Sequence, residues 1–118
     1  IYVRPKPKEH GLGNQIEGYY KKGQKVLVIE DLISTGKSSL QVVEVLRKEG
    51  LQVEGMVSIF NYNFAVADQA FKNAAVPFQS LTNYNELISL AIEKNIVSSA
   101  QENTLLNWRQ DPANWNVN

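Results

Sequence analysis

Short apolar runs and amphipathic stretches alternate along most of the chain. Short apolar runs, most of them with β-branched residues, predict strands at three places, residues 1–3, 25–29 and 53–60, and a short strand is also expected at residues 78–81. Apolar residues at helical spacing predict helices over four stretches: residues 38–48, 64–75, 83–94 and 98–109. This alternation predicts one α/β domain over residues 1–118, with an open, mostly parallel sheet flanked by helices.

Capping signals refine the predicted helices. Asn63 is expected to cap the second helix, which would turn three side chains inward: Val66, Ala70 and Phe71. Asn83 is expected to begin the third helix in the same way. From Ser98 onward, a serine followed three residues later by Gln or Glu gives the capping-box pattern in two registers. The last helix is therefore expected to begin at one of these two serines.

The stretch 26–38 carries the strongest chemical signal. Four apolar residues lead into the acidic pair Glu30-Asp31, and a loop of hydroxyl residues and a glycine over 34–38 opens the next helix. The N–H groups of such a loop, with the positive end of the helix dipole, bind anions. Two acids at the tip of a buried strand, beside a phosphate cradle, suit a phosphorylated sugar whose hydroxyl groups need acceptors.

Two other interpretations of this stretch stand beside the first. A strand, a glycine-containing turn and a helix often follow one another in α/β folds without any ligand. The triplet Gly36-Lys37-Ser38 also matches the end of a P-loop. That motif needs a glycine five positions before Gly36, where this chain has Asp31. A carboxylate there would repel a triphosphate, so the P-loop interpretation fails.

Residues 4–18 are polar, rich in glycine, proline and charge, and without periodicity, which predicts a long mobile loop. Three cations and a histidine lie close together in it: Arg4, Lys6, Lys8 and His10. A flexible arm with these side chains would suit closure on a polyanion. A solvated charged loop is the plainer alternative.

The composition excludes several classes of function. The chain has 118 residues, enough for one domain, and a formal net charge of zero, which argues against a nucleic-acid or membrane partner. It has no cysteine and one histidine, so we expect no disulfide, thiol nucleophile or His-rich metal site. No apolar run approaches the ~18 residues of a membrane span, and a soluble cytoplasmic protein is expected.

Both chemical stretches resemble motifs of one known family. Residues 26–38 resemble the 5-phosphoribosyl-1-diphosphate (PRPP) signature of type I phosphoribosyltransferases, and are most similar to its version in orotate phosphoribosyltransferases. Residues 4–13 resemble the catalytic flexible loop of that family, R-K-x-x-K-x-H-G-x-G. Five residues fall on this pattern: Arg4, Lys8, His10, Gly11 and Gly13. Pro5 departs from it, since many members have a second lysine there, and Lys6 is the residue that could replace that charge.

The resemblance implies a fold and a reaction. The fold is the Rossmann-like core of the type I enzymes. The reaction transfers the phosphoribosyl group from PRPP to orotate, giving orotidine 5′-phosphate and diphosphate, in pyrimidine biosynthesis. Transfer to another base is a second hypothesis, and a non-catalytic sensor of PRPP or nucleotides is a third. The chain starts in a strand without an initiator methionine, so we expect the C-terminal part of a longer enzyme, inactive without its N-terminal part.

The resemblance also assigns roles within the signature. Glu30 and Asp31 are expected to accept hydrogen bonds from the ribose hydroxyls, with Asp31 counted among the catalytic residues. The rest of PRPP, with its 5-phosphate, is expected to contact seven residues: Leu32, Ile33, Ser34, Thr35, Gly36, Lys37 and Ser38. Ser34 is also expected to contact the orotate carboxylate.

In the same family the flexible loop reaches the active site of the partner subunit in a homodimer. Lys8 and His10 are therefore expected to be catalytic residues that contact the diphosphate in trans, with Arg4 on or near it. Cationic donors stabilise the negative charge that accumulates on the leaving diphosphate. Mg²⁺ is implied as the counter-ion of PRPP, and no protein ligand is assigned to it.

Two further segments carry no assigned role. Asn61-Tyr62-Asn63 follows a predicted strand, where open sheets often bind ligands, but it lacks the basic residue that some relatives use for the pyrimidine. Trp108 and Trp115 form either a contact surface or a cover for the edge of the core. The second interpretation is the simpler one.

Overall fold

The computed structural model describes residues 1–6 and 14–115 of the chain. The strands in these ranges are β1 (Tyr2–Val3), β2 (Ile16–Glu17), β3 (Lys25–Ile33), β4 (Gln52–Asn61) and β5 (Phe78–Asn83). The helices are α1 (Lys37–Lys48), α2 (Ala65–Asn73), α3 (Tyr84–Glu93) and α4 (Ser99–Gln110), followed by a 3-10 turn at Pro112–Asn114. The predicted alternation of strands and helices is confirmed.

The central sheet is parallel, with β3, β4 and β5 as neighbours in that order. Helix α1 connects β3 to β4, and α2 connects β4 to β5. The register aligns Ile33 with Asn61 and Asn61 with Asn83, so three strand ends lie side by side at one edge. Strands β1 and β2 form a separate antiparallel pair. The predicted mostly parallel α/β sheet is therefore confirmed.

Helices α1 and α2 cover one face of this sheet. Their inward side chains share one buried cluster with residues of β3 and β4: Val28, Ile33, Val43, Leu46, Met56, Ala67 and Phe71. The opposite face carries apolar side chains that are exposed in the described part of the chain: Leu27, Ile29, Ile59 and Leu81. Leu27 and Ile29 alternate with the buried Val28 along β3. The prediction of a buried strand is therefore wrong for Leu27 and Ile29.

An aromatic cluster joins the sheet to the last two helices. It consists of Tyr62, Phe64, Tyr84 and Trp108, whose neighbouring ring centroids lie 5.3–5.9 Å apart. The Tyr84 hydroxyl donates a hydrogen bond to the Leu105 carbonyl at 3.2 Å, which ties α3 to α4. Trp108 packs against the core, so it covers the core edge as the simpler interpretation predicts. Trp115 is exposed.

Two predicted boundaries are wrong because strand pairing extends further than the local pattern indicates. Strand β3 ends at Ile33 and not at residue 29, since Leu32 and Ile33 still pair with β4. The acidic pair therefore lies inside the strand and not at its tip. The predicted mobile loop over 4–18 contains β2, which pairs with β1 and buries Ile16.

The start of α2 also differs from the prediction. Asn63 does not cap this helix: the cap position is Phe64, and Asn63 has a positive φ of 57°. Val66 is exposed, while Ala67 is fully buried. The reason is that Phe64, Ala67 and Phe71 form the inward stripe, which places Val66 outside it.

The other two capping signals are confirmed. The Asn83 side chain accepts a hydrogen bond from the Glu86 N–H at 3.1 Å at the start of α3. Ser98 forms the capping box of α4 with Gln101, which settles the choice between the two registers. Both helices begin where a short polar side chain satisfies a free N–H group.

Candidate functional site

Glu30 and Asp31 are neighbours on β3 but lie in different surroundings. Glu30 is half-buried, and the Ser39 hydroxyl at the start of α1 hydrogen-bonds its carboxyl group. Burial raises the pKa of Glu30, the charge of Asp31 raises it further, and the Ser39 bond partly opposes both. Asp31 is exposed, and its Oδ1 accepts a hydrogen bond from the Leu32 N–H at 2.7 Å. The pair thus offers acceptors in two directions.

Ser39 is a site residue that the sequence analysis missed. Its side chain is buried although it is polar, and its partner is Glu30. Residues 39, 43 and 46 follow helical spacing, and Val43 and Leu46 face the core. That spacing is the signal that marks Ser39 as an inward polar residue next to the signature.

The loop over residues 34–38, called here the 34–38 loop, depends on Gly36. This glycine has a φ of +80°, a left-handed conformation that side chains with a Cβ rarely adopt. A Cβ added to it would lie 2.7 Å from Cε2 of Phe71 on α2. Both observations explain why the loop needs glycine at this position. The Gly36 carbonyl then accepts the Leu40 N–H at 2.9 Å, which begins α1.

The start of α1 has the properties of an anion site. Among the residues that the structure describes, no side chain hydrogen-bonds the cap position at Gly36, and the first turn of α1 contains no acidic residue. The N–H groups of a first turn lack acceptors within the helix and carry the positive end of its dipole. Four exposed residues surround them: Ser34, Thr35, Lys37 and Ser38. Hydroxyl, ammonium and N–H donors thus meet where the sequence predicts a 5-phosphate.

The turn after β4, called here the 61–63 turn, lies directly beside the 34–38 loop. The Tyr62 N–H donates to the Ile33 carbonyl at 3.1 Å, and Ile33 is the residue before Ser34. Within the turn, the Asn61 side chain accepts the Asn63 N–H at 2.8 Å. The carboxyl ends of β3 and β4 therefore form one continuous surface.

Arg4 lies on a cavity that also includes residues of the signature. The cavity measures about 420 Å³, and its lining includes Arg4, Glu30 and Ser38. Nε of Arg4 donates to the Glu17 carboxylate at 2.7 Å, so the guanidinium group is held by an ion pair. The structure thus places Arg4 on the same cavity as Glu30. Lys8, His10, Gly11 and Gly13 lie outside the described residues, and their roles stay predictions.

Glu30 and Asp31 are also the acidic side chains that the signature offers a metal ion. Among residues 1–6 and 14–115, no group of three or more His, Cys, Asp or Glu residues could hold one. Two carboxylates beside a phosphate site fit Mg²⁺, which takes most of its ligands from substrate phosphates and water.

No helix in the described ranges is long and apolar enough to cross a bilayer.

Curated proteins of similar sequence share one name. No family model matches the chain. It is 52% identical over 115 residues to the orotate phosphoribosyltransferase of Cytophaga hutchinsonii, and 50% identical over 117 residues to that of Bacteroides thetaiotaomicron. These matches cover 98% and 99% of the chain but 55% of each relative. The chain therefore spans about half the length of these relatives.

Solved structures with a similar fold include enzymes with related names. The UMP synthase of Leishmania donovani has a TM-score of 0.72 at 29% identity, over 87% of this chain and 23% of that one. The orotate phosphoribosyltransferase of Mycobacterium tuberculosis, in complex with Fe(III) dicitrate, has a TM-score of 0.63 at 32% identity, over 72% and 48%. With the sequence matches, these likenesses show that the chain belongs to the orotate phosphoribosyltransferase family of type I phosphoribosyltransferases.

Proposed function

We propose that this chain carries the PRPP-binding part of an enzyme that forms orotidine 5′-phosphate. One observation carries the proposal: Glu30 and Asp31 lie on the strand that leads directly into the anion site at the start of α1. In the reaction, the bond between ribose C1 and diphosphate breaks, a bond between C1 and an orotate nitrogen forms, and the proton of that nitrogen is lost to solvent. Diphosphate leaves with the bonding electron pair.

In this proposal, different residues of the signature bind different parts of PRPP. The 5-phosphate binds N–H and hydroxyl donors of the 34–38 loop, with Lys37 as an added cation. Glu30 and Asp31 accept hydrogen bonds from the ribose hydroxyls, and Asp31 stabilises positive charge that develops at C1. Support for PRPP as ligand comes from a Mycobacterium tuberculosis orotate phosphoribosyltransferase solved in complex with it, which has a TM-score of 0.52 at 30% identity.

Orotate is the proposed acceptor because the curated relatives at about 50% identity carry its name. Ser34, exposed beside the 61–63 turn, is the residue proposed to contact the orotate carboxylate. Mg²⁺ would neutralise charge on the diphosphate, held mainly by substrate oxygens near Glu30 and Asp31. A homodimer in which Lys8, His10 and Arg4 serve the partner's site is part of the proposal, as is a cytoplasmic location.

The base that the enzyme accepts distinguishes this proposal from its alternatives. The complete gene product is incubated with Mg²⁺, PRPP and one of orotate, uracil, adenine or hypoxanthine, and nucleotide products are separated by chromatography. We expect orotidine 5′-phosphate, with kcat/KM for orotate at least about 100-fold above that of other bases. Preference for another base would support the second hypothesis. PRPP binding by calorimetry without turnover of any base would support the sensor hypothesis.

The same assay on residues 1–118 alone should give no product above background. The chain spans about half the length of its curated relatives, and efficient transfer needs both reactants held in near-attack geometry. Robust turnover by a sample of verified mass would overturn this expectation.

A mixing experiment tests the flexible loop over residues 4–13. Mixing the Lys8→Ala and Asp31→Asn variants should restore activity only if the active sites are shared between subunits.

A further inference from the structure

The 61–63 turn is fixed from several sides, although the sequence gives it no motif. Asn63 has a left-handed φ of 57°, which is uncommon for a residue other than glycine. The Asn61 side chain holds the Asn63 N–H, and the Tyr62 N–H is bound to the Ile33 carbonyl. A turn that is held this firmly at the carboxyl edge of a parallel sheet is placed for a ligand.

Arg109 on α4 contacts this turn from far along the chain. Its Nη1 donates a hydrogen bond to the Asn63 carbonyl at 2.6 Å. Its Nε is buried and has no hydrogen-bond partner among the residues that the structure describes. A buried donor without a partner lowers the stability of the fold. A role in stability alone therefore does not explain an arginine at this position.

The aromatic cluster sets the direction from which Arg109 reaches the turn. Trp108, its neighbour on α4, lies 5.8 Å from the Tyr62 ring and 5.3 Å from the Tyr84 ring, centroid to centroid. The Tyr62 ring stacks on Phe64 at 5.3 Å. The side chains on either side of Asn63 are therefore packed against α4, while its carbonyl is bonded to it.

We propose that Arg109 is a positioning residue that holds the 61–63 turn in place for the acceptor base. The inference rests on the proposed function. In the proposed function the 34–38 loop and the acidic pair bind the phosphate and the ribose of PRPP, and within the described ranges no hydrogen bond joins either of them to Arg109. The 61–63 turn lies next to Ser34 at the neighbouring strand end, so its shape bears on what binds beyond the ribose.

The test compares two arginines that make the same kind of bond. Arg109→Met should raise KM for orotate about tenfold, the effect of one charge-assisted hydrogen bond, and change KM for PRPP less than about twofold. Arg47 donates to the Ala74 carbonyl at 2.8 Å, at the far end of α2. Arg47→Met should lower the melting temperature to a similar degree and leave both KM values unchanged. Both variants are made in the complete gene product.

The conservative variant Arg109→Lys distinguishes a positioning role of Arg109 from general stabilisation of the fold. Arg109→Lys keeps a charged donor and should give a KM for orotate between those of the unaltered protein and Arg109→Met. If Arg109→Met does not fold, Arg109→Gln takes its place with the same expectation. A KM for orotate that is unchanged, that rises equally with the KM for PRPP, or that lysine does not improve would overturn the inference. If the unaltered protein turns over no base, the proposed function fails as well.

Discussion

The 34–38 loop and the 61–63 turn stand side by side at one edge of the sheet, yet they are built in different ways. The loop takes its shape from consecutive residues, with Gly36 supplying the left-handed turn directly before α1 begins. The turn is held by a local bond from the Asn63 N–H to the Asn61 side chain and also by distant residues, among them Arg109, which follows Asn63 by 46 positions. One part of the site can therefore be identified from a local motif, while the other depends on tertiary packing.

The largest effect is expected at the acidic pair that precedes the loop. Asp31→Asn keeps the size of the side chain but removes its charge. In the complete gene product it should lower kcat/KM for PRPP on the order of 10–1000-fold, because transition-state stabilisation at C1 is lost. Asp68→Asn, an exposed position on α2, is the control and should have no effect. Unchanged kinetics of Asp31→Asn would remove Asp31 from the site.

Gly36→Ala tests how closely the loop depends on local backbone shape. The new Cβ would clash with Phe71, so the loop must shift, and a displacement of about 1 Å can cost roughly 100-fold in rate. Gly23→Ala is a matched control, since Gly23 has a φ of +84° and no atom of the described residues lies within 4 Å of the added Cβ. It should cost about 1 kcal/mol of stability and no activity. Equal losses in both variants would contradict the role of the Phe71 contact.

Trp108→Ala tests the packing that supports the 61–63 turn. Removing this half-buried ring should cost about 2–4 kcal/mol of unfolding free energy and raise KM for orotate severalfold. Trp115→Ala, at an exposed tryptophan, should change stability by less than about 0.5 kcal/mol. Chemical denaturation measures the unfolding free energy of both variants. A Trp108→Ala protein as stable as Trp115→Ala would mean that the aromatic cluster does not support the turn.

The smallest effect concerns the charge on Glu30. Its raised pKa means that the folded state binds this proton more tightly than the unfolded state does. Ionised Glu30 therefore destabilises the fold as the pH rises from below its ordinary pKa of 4.5 toward the raised value. Glu30→Gln should melt higher than the unaltered protein at neutral pH, and the difference should shrink toward acidic pH.

Glu54 provides the control for this pH dependence. It is exposed and forms an ion pair with Lys25 at 3.7 Å. Glu54→Gln should therefore bring no gain in melting temperature at any pH. A Glu30→Gln protein that melts lower than the unaltered protein across the whole pH series would show that Glu30 stabilises the fold by another route.

The predictions from sequence succeed where neighbours along the chain decide the structure. The start of α1 after Gly36 and the caps at Asn83 and Ser98 depend on contacts within a few residues, and these helices begin within one residue of the expected positions. The end of β3 was misplaced because its last residues are strand only through pairing with β4. Pattern alone does not reveal such a partner.

The errors in α2 and the missed role of Arg109 have the same origin. Val66 fits an apolar stripe in the sequence, but the contact of α2 with the sheet selects Phe64, Ala67 and Phe71. Nothing in the local sequence around Arg109 indicates that its partner is the Asn63 carbonyl. The inward face of α2 and the partner of Arg109 both depend on how separate elements pack against each other. A single sequence does not specify that packing.

The position of Trp108 makes it a natural fluorophore for following ligand binding. Its indole ring contacts Tyr62, whose N–H is bound to the carbonyl that precedes the 34–38 loop. A ligand that reorders the loop would change the polarity around the indole and shift its emission. The chain has two tryptophans, and the exposed Trp115 would contribute a background emission. Trp115→Phe would leave a single emitter, so titrations could be read without an added label.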